Sequence, residues 1–379
     1  MKANYLFYFC DGIGSVFDSQ VLALLNAIND KNVFKKIYLF LGSRDENQRD
    51  DFLKKKLNFD IEIVFFKSYP NYPFFNHLIR RSIKSAILSQ GINLKVAIFH
   101  TRGEMIAWHL SNILESKYHK NILPDVRGTS VEEIEEFYNS NKFIKFLKVS
   151  NYENAVKNLI KFNKITAVSE ALKEYLITSY SIKPYKIIIT PCLAGSDFQY
   201  NESVRDEIRK EFNLSSDDLL IVFSSGGTAN WQNNEPLTWL AGKGFKVLNL
   251  SKREISHKNI INKFVNYSEM PAYLNAADAA IIWRDKSIVN KVASPVKFSE
   301  YICCGLPVIA NKNVNMINEY IKTHGCGLLI DGFEEADSNR INELKRMDRK
   351  NISDTGILNF GIDAIADKYI SSYTSMNIT

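Results

Sequence analysis

Residues 293–310 hold the densest run of groups able to do chemistry: Ala293-Ser294-Pro295-Val296-Lys297-Phe298-Ser299-Glu300-Tyr301, then Cys304-Gly305-Leu306-Pro307-Val308-Ile309-Ala310. Pro295 suits the first turn of a helix and Ser294 its N-cap, which leaves backbone N–H groups presented to a ligand. A cation in the first turn opposes the helix dipole, so Lys297 makes more sense if it serves a phosphate. Glu300 follows within an otherwise apolar stretch and can accept hydrogen bonds from sugar hydroxyls. On the residues alone, a surface or salt-bridged carboxylate fits Glu300 equally well. A second candidate is Asp11-Gly12-Ile13-Gly14-Ser15, where glycines would let the backbone approach an anionic ligand ahead of a helix start. Phe17 stands where a dinucleotide fingerprint needs its third glycine, so a nicotinamide dehydrogenase is disfavoured and a plain tight turn fits as well.

These segments need sheets to position them, and the hydrophobic pattern predicts two. In the N-terminal half, apolar runs at 5–10, 36–41, 61–66, 96–100, 120–123, 165–168 and 187–190 read as strands. Helical stretches at 21–28, 80–88 and 105–114 lie between them. Apolar β runs alternating with amphipathic helices are the mark of a parallel, doubly wound sheet. The pattern restarts after a polar stretch, 197–216, read as a linker followed by a short helix at 203–211. Strands are predicted at 219–223, 246–250, 279–283, 307–310 and 327–330. Helices are predicted at 270–276, 295–304, 316–323, 338–346 and 360–375. The fold class is thus α/β: two Rossmann-like domains, 1–196 with the C-terminal helix 360–379, and 197–359. Ligands of such sheets bind beyond the strands' carboxyl ends, so two facing sheets would hold theirs in the cleft between them.

At 379 residues the chain suits two domains of roughly 150–200 residues each. With 45% hydrophobic and 24% charged residues it reads as a soluble globular protein. No apolar run reaches the roughly 18–20 residues of a membrane span. The N-terminus lacks a signal-peptide pattern. Cys10, Cys192, Cys303, Cys304 and Cys326 show no metal-ligand spacing and read as buried reduced thiols, which places the chain in the cytoplasm. The net charge of +6 is mild. Lys142, Lys145, Lys148, Lys157, Lys161 and Lys164 alternate with Phe143, Phe146, Leu147, Leu159 and Phe162. Arg80, Arg81 and Lys84 follow the aromatic run 72–75. Such mixtures form solvated helix faces and also suit an anionic membrane surface, here the inner face of the plasma membrane. No nucleic-acid-binding motif is present.

The segment 293–310 resembles the nucleotide-sugar-binding motif of family 4 glycosyltransferases, which have the GT-B fold. It is most similar to the bacterial capsule, lipopolysaccharide and cell-wall branch. Further pieces agree in order: Gly12-Ile13-Gly14-Ser15-Val16 with Ser19-Gln20, Asp125-Val126-Arg127-Gly128, Ala167-Val168-Ser169-Glu170, Pro191-Cys192, Ser225-Gly226 with Trp231-Gln232, and Arg284. The resemblance spans residues 5–331. It implies that Glu300 holds the donor ribose while Lys297 and Arg284 neutralise the diphosphate. Gly12, Gly14, Ser15, Gly226 and Ser294 would line the nucleotide-sugar site. Asp125 and Arg127 would face the transferred sugar or acceptor, and the C-terminal helix would cross back onto the N-terminal domain.

The chain departs from the family at three places. Val292 stands where a first glutamate is usual, Trp231-Gln232 where an Arg and Lys pair is usual, and Asp125 where a histidine is usual. The implied activity is a retaining, metal-independent transfer of a sugar (hexosyl or N-acetylhexosaminyl) from a nucleotide sugar, UDP-linked by preference, to a glycan or lipid-linked acceptor. No cofactor or metal ligand set is expected, since Asp50-Asp51 and Asp217-Asp218 lie in polar, loop-like stretches. His100 is the alternative acid or base. The rival reading is a non-catalytic module of the same fold that binds a glycan or a partner.

Overall fold

The computed structural model describes residues 4–54, 57, 60–225, 235–335 and 337–376. The chain divides into two compact units, Met1–Thr190 with Ala366–Thr379, and Pro191–Ile365.

The first unit is built on a seven-stranded sheet in the order β3-β2-β1-β4-β5-β6-β7. Its strands are β1 (Tyr5–Cys10), β2 (Lys36–Ser43), β3 (Glu62–Lys67), β4 (Ala97–Arg102), β5 (Ile122–Val126), β6 (Ile165–Ala167) and β7 (Ile187–Ile189). Every pairing is parallel. Leu6, Phe7, Tyr8 and Phe9 of β1 are fully buried, as a central strand covered on both faces requires. The strand order reverses between β1 and β4, so the crevice at their carboxyl ends is the place where this sheet offers a ligand site. The segments leaving those ends are the 11–15 turn and Arg102-Gly103-Glu104.

The second unit holds a six-stranded parallel sheet in the order β10-β9-β8-β11-β12-β13. Its strands are β8 (Leu220–Phe223), β9 (Lys246–Asn249), β10 (Ile260–Asn262), β11 (Ala279–Ile282), β12 (Val308–Ala310) and β13 (Gly327–Leu329). Alternate residues feed two cores. Leu220, Val222, Ala280, Ile282, Val308 and Ala310 join one, while Ile221, Phe223, Ala279, Ile281 and Ile309 join the other. That is the period-2 pattern of a sheet with helices on both faces. The reversal falls between β8 and β11, which end at Phe223 and Ile282, so Ser224 and Arg284 lie within two residues of their carboxyl ends.

Three expectations are corrected. Strand β10 was not foreseen, because its apolar content is only Ile260-Ile261 between asparagines and it pairs with β9 alone. The 197–216 segment is not a free linker. Its helix Glu202–Glu211 is docked on the second unit through Asp278, which lies 2.5 Å from Arg205 and 3.1 Å from Arg209. Finally, the helix expected over 295–304 runs Val296–Cys303 with Pro295 as its N-cap residue, and no side chain caps it. Ser294 is therefore not the cap. Its hydroxyl instead accepts from the Cys192 backbone N–H at 3.0 Å.

All five cysteines are buried and unbridged. Among the described residues no helix is long and apolar enough to cross a membrane.

Candidate active site

The helix Val296–Cys303 is held rigidly at both ends. Proline fixes the backbone at residue 295, and the Phe298 N–H donates to the Pro295 carbonyl at 3.0 Å. At the other end Gly305 takes φ +73°, and the Leu306 N–H donates to the Tyr301 carbonyl at 2.9 Å. A β-carbon at 305 would lie 2.2 Å from the Arg349 carbonyl oxygen, so only glycine closes the helix here. Along its length, Ser299 donates to the Cys192 carbonyl at 2.7 Å. Ser294 and Ser299 thus clamp both backbone groups of Cys192 against the helix.

Glu300 is fully buried, the reverse of a surface carboxylate. One of its oxygens, Oε2, accepts from Lys297 Nζ at 2.7 Å. The other, Oε1, has no hydrogen-bond partner among the described residues. Burial pushes this carboxyl above its ordinary range, opposed only by Lys297. A buried carboxylate oxygen without a donor is costly unless a ligand supplies one. Lys297 keeps 21% of its side chain exposed, so it can hold Glu300 and still meet an anion.

Tyr301 carries the helix to the end of β8. Its hydroxyl accepts from the Ser224 N–H at 2.7 Å and lies 2.9 Å from Ser224 Oγ. Arg284, just beyond β11, has its backbone pinned by Asn311. That side chain accepts from the Arg284 N–H at 3.3 Å and donates to its carbonyl at 2.6 Å. The guanidinium is pushed down to about 10 by burial, with Tyr301 and Asp285 opposing. Lys297, Glu300, Tyr301, Ser224 and Arg284 thus gather at the carboxyl ends of β8 and β11. Tyr301 and Asn311 were not singled out by their chemistry in the sequence; Tyr301 stood inside the motif, whereas Asn311 carried no signal. Gly226 lies outside the described residues, as do Trp231 and Gln232.

In the first unit Gly12 takes φ +118°, a conformation that favours glycine. Gly14 has no such φ, and nothing lies within 4 Å of a β-carbon added there. The internal packing therefore does not demand the second glycine. Gly14 and Ser15 are exposed.

Asp125 is buried at the end of β5. Its Oδ1 accepts from Thr166 at 2.8 Å, from Tyr369 at 3.0 Å and from Arg127 at 3.5 Å. Its Oδ2 lies 3.9 Å from His100 Nε2. Burial alone would raise this carboxyl, but Arg127, His100 and Arg102 hold it well below the usual range. His100 is pushed down by burial, against the pull of Asp125, and its Nδ1 lies 2.7 Å from the Tyr373 hydroxyl. Tyr369 and Tyr373 belong to the C-terminal helix Ile362–Ser375, whose last turns are part of this unit.

Comparison with known proteins bears on this arrangement. The family described as Glucosyltransferase 3-like, C-terminal domain matches residues 225–356, the stretch that contains Arg284, Lys297 and Glu300. A glycosyltransferase from Rickettsia africae ESF-5 is 15% identical with a TM-score of 0.69, covering 99% of both chains. Anabaena HepE, solved with UDP-glucose, is 12% identical with a TM-score of 0.66, over 98% of this chain and 99% of that one. WaaG, a glycosyltransferase involved in lipopolysaccharide biosynthesis, is 10% identical with a TM-score of 0.60, over 98% and 99%.

The chain has the GT-B fold, and its residues 225–356 match a glucosyltransferase-like C-terminal domain.

No curated protein matches this chain by sequence. Its two parallel sheets are the Rossmann-like units of that fold.

Proposed function

We propose that the enzyme transfers a sugar, with retention, from a nucleotide sugar held by the second unit to a glycan or lipid-linked acceptor of a bacterial surface polysaccharide held by the first. The observation that carries this reading is Glu300 Oε1, a buried carboxylate oxygen without a donor among the described residues, on a helix whose first turn carries Lys297. Ribose hydroxyls would supply the missing donors. Lys297, Arg284 and the N–H groups that open the helix would stabilise the diphosphate as it leaves, a task they can perform without a divalent ion. The UDP bound in Anabaena HepE favours a UDP-linked donor.

In the proposed front-face step the bond from the anomeric carbon to the phosphate oxygen breaks. The acceptor oxygen bonds to the same face of that carbon, and its proton passes to the departing phosphate. No enzymic nucleophile is needed. Gly12, Gly14 and Ser15 would offer backbone to the acceptor or to phosphate, Ser294 would hold the donor helix in place, and Gly226 would line the donor. Asp125 is read as a positioning residue that orients Arg127 toward the transferred sugar. The helix Lys142–Asn158 exposes Phe143 by 69% and Phe146 by 65% beside Lys142 and Lys145, which supports peripheral contact with the inner face of the plasma membrane.

A thermal-shift screen against UDP-, GDP-, ADP- and CMP-linked sugars, followed by product stereochemistry on the best donor, tests the reading. It predicts a shift with one UDP-sugar and a product of unchanged anomeric configuration. An inverted product, or no shift with any donor, contradicts it.

A further inference from the structure

A hollow of about 540 Å³ on the first unit takes no part in the chemistry above. It runs along β3, the edge strand of the seven-stranded sheet, toward its carboxyl end. Its size is that of a small-molecule site. Three cations line it: Arg49 from the helix Glu46–Leu53, Lys67 at the end of β3, and Arg81 from the helix Asn76–Leu88. No aspartate or glutamate lines it. Other basic side chains of this unit find carboxylates, as Lys36 does with Glu62 at 2.8 Å near the far end of the same strand. Among the described residues Arg49, Lys67 and Arg81 make no ion pair.

Two of the three are braced. The Arg49 guanidinium sits 5.6 Å above the Phe65 ring and Lys67 Nζ 5.4 Å above Tyr69. The strand is tied to the wall of the hollow where the Lys67 N–H donates to Ser82 Oγ at 2.6 Å. Arg81 and Ser85 stand one turn apart on that wall, so a guanidinium and a hydroxyl share one face. Three like charges around one hollow repel each other until an anion enters. A dianion suits them better than a single carboxylate, and the planar donor forks of two arginines match phosphate oxygens.

We propose that this hollow binds a phosphate-bearing ligand through Arg49, Lys67 and Arg81, with Ser85 as a hydroxyl donor. The site is built entirely from the first unit and does not depend on the donor assignment.

The test is calorimetric titration of the full chain with inorganic pyrophosphate at about 150 mM salt, near physiological ionic strength, with UDP present to occupy any donor site. The wild type should bind saturably, and Arg49→Gln/Arg81→Gln should bind about tenfold more weakly or worse, the equivalent of 1.4 kcal/mol. Should that variant fail to fold, Ser85→Glu places an acid in the hollow from an exposed helix position and should weaken binding in the same direction. Sedimentation with phosphatidic acid vesicles, against phosphatidylcholine alone, separates two sources of the phosphate. Vesicle binding lost in the variants assigns a lipid headgroup; pyrophosphate binding lost without a vesicle effect assigns a soluble phosphate. Undiminished pyrophosphate affinity in folded variants, or no saturable binding by the wild type, overturns the proposal. UDP affinity in the same samples reports on the donor site separately.

Discussion

Glu300 and Asp125 are both carboxylates buried near the carboxyl ends of parallel sheets, yet their surroundings drive them in opposite directions. Asp125 accepts from Thr166, Tyr369 and Arg127 through Oδ1, its Oδ2 has no hydrogen-bond partner among the described residues, and Arg127 and Arg102 supply positive potential. Its carboxyl is held well below the usual range. Among the described residues Glu300 likewise has one oxygen without a donor, but only Lys297 opposes the effect of its burial, and its carboxyl is pushed above its range. The difference separates two uses of a buried acid. The first unit spends its charge internally, fastening the C-terminal helix to the sheet. The second sets a single lysine against the burial of Glu300, and a buried acid perturbed in that way marks a candidate ligand site.

The largest effect should fall on turnover. Glu300→Ala is expected to lower kcat/KM by about a thousandfold, the upper range for losing one preorganised polar group at a reacting centre, with the fold intact by circular dichroism. Lys297→Ala should follow closely. Near-normal turnover in both variants would erase the distinction between the two acids.

Next is stability at the other carboxylate. Asp125→Ala removes the buried acceptor shared by Thr166, Tyr369 and Arg127 and should cost about 3–5 kcal/mol in a urea melt. A loss below about 1 kcal/mol, the worth of an exposed pair, would mean that the network is not what secures the C-terminal helix.

The pH dependence should carry opposite signs. A depressed carboxyl such as Asp125 adds stability above the ordinary aspartate pKa, and that stability is lost as pH falls through its lowered native value. A raised carboxyl such as Glu300 works the other way: native stability declines as pH rises from the ordinary glutamate value through the raised one. Glu300→Gln should therefore melt at or above the wild-type temperature at neutral pH, while Asp125→Asn melts below it. Melting curves from about pH 2 to 8 check both signs. The smallest effect is expected from Tyr373→Phe, which takes a hydroxyl from His100 Nδ1 and should cost about 2 kcal/mol.

What could be read in the sequence follows the same division. Central strands were legible because burial on both faces makes them continuous apolar runs, as in residues 5–10 and 219–223. The edge strand Ile260–Asn262 was not, since only two apolar residues mark it. The donor helix was legible because Pro295 and Gly305 punctuate it locally. The role of Ser294 was not, because its partner Cys192 lies 102 positions away. The Asp125 network was hidden for the same reason: His100 and Tyr373 are 273 positions apart, and no spacing rule joins them. Chain-local chemistry shows in a sequence, whereas buried polar networks assembled from distant segments do not.

The central claim is that Glu300 Oε1, without a donor among the described residues, takes one from a bound nucleotide. Titrating UDP into wild type and Glu300→Gln, with melting temperatures recorded on the same samples, tests this directly. The account predicts saturable binding by the wild type and at least about a tenfold loss, 1.4 kcal/mol, in a variant that melts no lower. Equal affinity in the two proteins would contradict it.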